Sequence, residues 1–170
     1  MADEVDTAGG ESGEGARFTG AAAFQTAVRD FLRRAAQQGW KKLILSDPDF
    51  ADWPLGEAAT LQVMSEWAGP GRSLVLLAGD YDPIRRRHAR FVHWRRQWSH
   101  IIDCRQSAVA EAQATPSAIL SDGALLHRFD VGFCTGLTST DPMRRVRLRQ
   151  ELDEWIASSA PAFPASTLGL

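Results

Sequence analysis

Lysine, tyrosine and cysteine are scarce in this chain, and a long apolar run is absent. In 170 residues there are one tyrosine and two cysteines, and lysine is confined to Lys41 and Lys42. A catalytic lysine downstream of position 42 is therefore excluded, and all later fixed positive charge is arginine. Cys104 and Cys134 lie 30 positions apart with no metal-type spacing, so reduced, buried thiols in a cytoplasmic protein are expected. No stretch of about 18 apolar residues exists, so no membrane-spanning helix is expected. Base is missing from residues 1–16, which carry Asp3, Glu4, Asp6, Glu11 and Glu14. Lacking a basic region and an apolar core, this segment is not a secretory signal. Rich in Gly, Glu and Ala, it reads as disordered.

What is present reads as one α/β domain over residues 17–157, followed by a tail at 158–170. Hydrophobic content of 44% and charged content of 24% suit a globular protein. From Phe18 the pattern is helical: Phe24, Val28, Phe31, Leu32 and Ala35 share one face, and Gly39 fits a C-cap. Leu43-Ile44-Leu45 is a buried strand that runs into Asp47, Asp49 and Asp52. A second helix at 56–68 precedes the buried strand Leu74–Ala78, which also ends in acids, Asp80 and Asp82. Ligands of open α/β sheets bind beyond the carboxyl ends of such strands, so these five carboxylates form the first candidate site.

One long helix is expected from Pro83 to Ser99, with Ile84, Phe91, Trp94 and Trp98 on one face and most arginines on the other. Arg87, His88 and Arg95 fall within or beside the apolar arc and are the candidate cationic partners of the acidic loops. A short strand at 101–104 and an irregular connection at 105–117 follow. Two apolar runs around Asp122-Gly123 predict a hairpin, with a further strand near Gly132–Cys134. Asp141-Pro142 caps and opens a last helix containing Leu148, Leu152 and Trp155. The expected fold is a mixed sheet with helices on both faces and an antiparallel hairpin near one edge.

Three resemblances bear on function. Leu43-Ile44-Leu45-Ser46-Asp47-Pro48-Asp49 resembles the opening motif of the haloacid-dehalogenase-like phosphohydrolases, whose paired aspartates serve as nucleophile and general acid beside Mg²⁺. Phe50 replaces that family's Thr or Val, and its later lysine has no counterpart here. The hairpin region resembles one half of the phospholipase D-like fold. Aligning Asp122-Gly123 with that family's Asp-Gly places Thr115 and Ser117 where its catalytic His and Lys stand. Over about residues 17–157 the chain is similar to a proteobacterial family of uncharacterised α/β domains, sometimes fused to acetyltransferase domains. The residues carrying that likeness include Asp47–Leu55, Asp80-Tyr81-Asp82 and Arg86–Arg95.

The phospholipase D-like resemblance implies a half-fold that has lost its catalytic groups and acts as a binding or assembly module. Enzymes of that fold pair two halves, so a homodimer is the expected partner state, with another protein as the alternative. A Mg²⁺-dependent phosphohydrolase using Asp47 and Asp49 is the rival enzyme reading. The arginines between Arg85 and Arg96 give the other alternative, a nucleic-acid or phosphate contact. Nucleic acid is disfavoured because the aromatics lie on the opposite helix face and the pI is near 6.1. No cofactor or metal is expected; His93 and His100, seven apart, need further ligands to form a centre.

Overall fold

Strand parity places the acidic loops on one side of the sheet. In this computed structural model, which describes residues 15–165, the segment Lys42–Asp47 (β2) sends Leu43, Leu45 and Asp47 toward a helical layer and Ile44 the other way. Ser73–Ala78 (β3) and Ile102–Gln106 (β4) continue the sheet in parallel with β2, through the registers Leu45↔Leu76 and Leu76↔Cys104. Ser117–Ser121 (β5), Leu125–Asp130 (β6) and Thr135–Ser139 (β7) form an antiparallel meander on the other side of β2. Short edge strands complete it: Ala16–Phe18 (β1) pairs with β7, and Ala160–Pro161 (β8) pairs with β4. The sheet order is β1-β7-β6-β5-β2-β3-β4-β8. The α/β class and the mixed sheet are therefore as the sequence predicts.

Helices cover both faces unequally. Ala21–Gln38 (α1), Ala58–Trp67 (α2), Asp82–Arg87 (α3) and Ala89–Gln97 (α4) bury one face. Their core includes Phe24, Val28, Phe31, Met64, Ile84, Phe91 and Trp94 against Leu45, Leu76, Ile119 and Leu126. Pro142–Ala157 (α5) alone covers the other, through Leu148 and Leu152 against Ile44, Leu120, Leu125 and Leu137. Gly39 closes α1 at φ 65, and Asp141 caps α5 by accepting from the Met143 N–H. Among the described residues no helix is long and apolar enough to cross a membrane.

Several boundaries differ from the sequence reading, each for a local reason. The expected disorder of residues 1–16 falls mostly outside the described residues, but Ala16–Phe18 is a strand because the Phe18 ring is buried beside Phe24. The long helix is two helices, broken at His88 (φ −121, ψ 56), whose imidazole is drawn inward. Both halves keep a common apolar stripe, so periodicity concealed the break. The irregular connection contains a 3₁₀ turn, Val109–Ala114. The last strand begins at Thr135 rather than near Gly132. The tail is ordered through 165: Arg105 bonds Ser159 twice at 2.9 Å, and Phe163 is buried on Tyr81.

The predicted hairpin is present, with Ser121 and Ala124 closing the turn. Gly123 serves it through space rather than through a left-handed φ. A Cβ there would come within 2.6 Å of the Trp40 indole nitrogen.

Candidate functional site

The acidic loop after β2 is organised by a residue outside the candidate list, Arg128. On β6 it shares the parity of Leu126, so it points into the α1 side of the sheet. Its side chain is 0% exposed. Nη2 donates to Asp47 at 2.8 Å and to Asp52 at 3.2 Å, Nη1 donates to Asp52 at 2.6 Å, and Nε donates to the Ser117 hydroxyl at 2.9 Å. The guanidinium plane also rests on Phe24, with its carbon 3.9 Å from the ring centroid. Burial opposes the charge, but hydrogen bonds and attraction from the two carboxylates outweigh it, leaving the pKa raised above the ordinary guanidinium value.

Asp47 has no oxygen to spare. Its side chain is 1% exposed; Oδ1 is held by Arg128, and Oδ2 accepts from the Asp49 and Phe50 N–H groups at 3.1 and 2.8 Å. Those two bonds wind the loop tightly enough to put Phe50 at φ 57. Asp52 is 36% exposed and gives both oxygens to Arg128; one also faces the Cys134 sulfur at 3.7 Å. Chemically the cluster is a saturated ion triad in which every donor of Arg128 meets an acceptor.

The other candidates divide into three places. The two acidic loops do meet, through backbone: the Pro48 carbonyl accepts from both Gly79 and Asp80 N–H at 2.9 Å. Their outer carboxylates shape turns, Asp49 accepting from Ala51 N–H and Asp80 from Asp82 N–H at 2.9 Å. Asp82 pairs with Arg85 at 3.2 Å on the surface. His88 reaches the acidic loop by donating from Nε2 to the Phe50 carbonyl at 2.7 Å, which leaves its buried Nδ1 without a partner. Arg87 is exposed on α3. Arg95 is buried behind Tyr81 and is paired with none of the five carboxylates; its Nη2 donates to the Phe163 carbonyl at 3.4 Å.

Of the two positions aligned with the phospholipase D-like catalytic pair, Ser117 receives Arg128, while Thr115 bonds Ser107 at 2.6 Å. Asp122 lies at the opposite end of β5, accepting from the Lys41 N–H at 3.0 Å. Among the described residues no group of three or more His, Cys, Asp or Glu side chains is placed to hold a metal ion. A cavity of about 560 Å³ between β1 and α1 is lined by none of the acidic-loop residues.

Sequence reasoning missed Arg128, although a signal existed. In Ala124–Arg128, strict alternation with Leu126 on the core face puts Arg128 on that face too.

Beside Arg95 sits Cys104, whose thiol burial pushes up to about 11 against the opposing charge of Arg95. The folded state thus keeps a proton that an unfolded thiol gives up above its ordinary value of 9.0. This contribution is present below pH 9 and is lost as pH rises through about 11, amounting to about 2–3 kcal/mol. Denaturant titrations at stepped alkaline pH will show a steeper loss of stability than in Cys104→Ala.

No protein-family model matches the sequence, and no curated protein matches it. Among solved structures the chain resembles TrmBL2, an archaeal chromatin protein described as showing a novel mode of DNA binding, with TM-score 0.63 at 10% identity. The match covers 88% of this chain and 54% of that one, so the chain spans about half the length of TrmBL2. At this identity the likeness concerns the fold.

Proposed function

We propose that this chain is a cytoplasmic, catalytically degenerate phospholipase D-like half that acts as a binding and assembly module and pairs with a second copy of itself. The observation that carries the non-catalytic reading is the Arg128 triad. A carboxylate whose two oxygens already accept three hydrogen bonds is poorly suited to attack phosphorus or to ligate Mg²⁺. Ser117, at the position of the motif's lysine, is committed to the same triad. Self-association is supported by the end of β6 and the turn that follows it, where Phe129, Val131 and Phe133 are 58, 43 and 78% exposed. Exposed large apolar side chains grouped within five residues suit a contact with another surface.

The exposed arginines of α3 and α4 favour a second reading, as a nucleic-acid contact, to which the fold likeness to a DNA-binding chromatin protein adds modest weight.

Light scattering after size exclusion is expected to give twice the 18.7 kDa chain mass, falling to the monomer value in the double variant F129S/F133S. A phosphomonoester panel with Mg²⁺ is expected to show no turnover that Asp47→Asn removes. A strict monomer at high concentration counts against the assembly reading, and Asp47-dependent turnover against the non-catalytic one.

A further inference from the structure

A second cavity, of about 390 Å³, opens between α4 and the C-terminal segment. Arg85, Arg95 and Arg96 line it with Ala89, Val92 and Phe163, and no carboxylate is among its described lining residues. Its volume lies within the range of small-molecule sites, about 300–1,000 Å³.

Arg95 is the unusual member. It is 7% exposed, and its Nε and Nη1 have no hydrogen-bond partner. Among the described residues its hydrogen bond from Nη2 to the Phe163 carbonyl is long at 3.4 Å, and the neutral Cys104 thiol is its other polar neighbour. A guanidinium keeps its charge in any protein environment, and leaving that charge buried without a counter-ion is costly. The groups behind it supply none. Burial raises the pKa of both Tyr81 and Cys104, so both stay neutral, and the Tyr81 hydroxyl is directed to the Leu76 and Arg105 carbonyls. In front of it, exposed Arg96 forms no ion pair among the described residues. Arg85 shares Asp82 at the surface and lies over the Phe163 ring, 5.1 Å from its centroid. Three positive charges thus surround a concave space whose remaining wall is apolar.

The contrast with Arg128 is informative. Both are buried arginines on the helical side of the sheet, but among the described residues Arg128 meets two carboxylates and Arg95 meets none. Among the described residues no counter-charge for Arg95 is present.

We propose that this cavity binds a small phosphate ester, the phosphoryl group lying among Arg85, Arg95 and Arg96 and a compact apolar body against Ala89 and Val92. A phosphoryl dianion fits three guanidinium groups better than a single carboxylate does, because it offers more charge and more acceptor oxygens. The inference is independent of the dimer: it uses no residue of the β6–β7 turn.

The test is calorimetric titration of the full chain, in chloride buffer at fixed ionic strength, with phenyl phosphate, inorganic phosphate, phenol and a short DNA duplex. Phenyl phosphate is expected to bind saturably at one site per chain, inorganic phosphate more weakly, and phenol not at all. Arg96→Gln, at an exposed position, is expected to weaken phenyl phosphate binding by at least about tenfold, the order set by losing one charge-assisted hydrogen bond. Arg95→Met is expected to abolish binding while leaving the unliganded melting temperature equal or higher, because it removes an unpaired buried charge. Should Arg95→Met fail to fold, Arg96→Gln alone carries the comparison. Absence of saturable phenyl phosphate binding, or binding unchanged in Arg96→Gln, overturns the proposal. Duplex binding that falls steeply with salt and that phenyl phosphate does not displace also overturns it, in favour of an open nucleic-acid surface.

Discussion

Replacing Arg128 by methionine is expected to cost about 3–5 kcal/mol, the penalty for leaving buried charge unpaired. Asp47, 1% exposed, would lose its one cationic partner among the described residues, while Asp52, at 36% exposure, could turn toward water. The loss is therefore expected to concentrate on Asp47. Urea denaturation checks this directly. Asp47→Asn introduced into Arg128→Met should recover a large part of the stability, whereas Asp52→Asn should recover less. In an otherwise native chain, Asp47→Asn should be destabilising, since Arg128 and the Asp49 and Phe50 N–H groups all lose a charged acceptor. A rescue by the second substitution that the first alone would not suggest is the signature of coupled charges. If Arg128→Met melts within a degree or two of the parent protein, the triad is not what holds the loop.

The second large effect belongs to Gly79. This residue lies where the two acidic loops and the 3₁₀ turn at 109–114 converge. Its N–H donates to the Pro48 carbonyl, and its own carbonyl accepts from the Gln106 amide at 3.0 Å. A Cβ here would stand 2.7 Å from the Ala112 Cα and carbonyl carbon, and nearer still to the Ala112 carbonyl oxygen. Those are backbone atoms that cannot rotate aside. Gly79→Ala is expected to destabilise by about 2–3 kcal/mol, at the upper end of overpacking costs, or roughly 5–10 °C in melting temperature for a chain of this size. Melting curves of Gly79→Ala and Gly69→Ala make the comparison, since nothing lies within 4 Å of a Cβ at Gly69.

Much of this architecture is legible in the residues alone. β2 and β3 announce themselves as short apolar runs ending in acids, the β5–β6 hairpin through Asp122-Gly123, and α5 through Asp141-Pro142. These signals are local: a strand's parity, a cap and a turn are decided by residues within a few positions. What escaped the sequence is long-range. Arg128 finds Asp47 and Asp52 at separations of 81 and 76 residues, and no periodicity connects them. The break at His88 depends on the Phe50 carbonyl, 38 residues earlier. β8 is only two residues long, held by Ser159 and Phe163 rather than by strand propensity. The candidate site was legible as a place, the meeting of two acidic loops, but the state of its carboxylates was set by a cation the pattern did not point to.

The triad also acts as a proofreader of the sheet. β2 belongs to the parallel half and β6 to the antiparallel meander, and only alignments that keep the observed strand parity put Arg128 on the same face as Asp47. A slip of β6 by one residue would carry Arg128 to the α5 face, among Leu120, Leu137 and Leu148, and strand Asp47 without that counter-charge. Apolar side chains alone tolerate such misalignment at modest cost, because one leucine replaces another. A guanidinium does not, so the misaligned sheet is penalised on both faces at once.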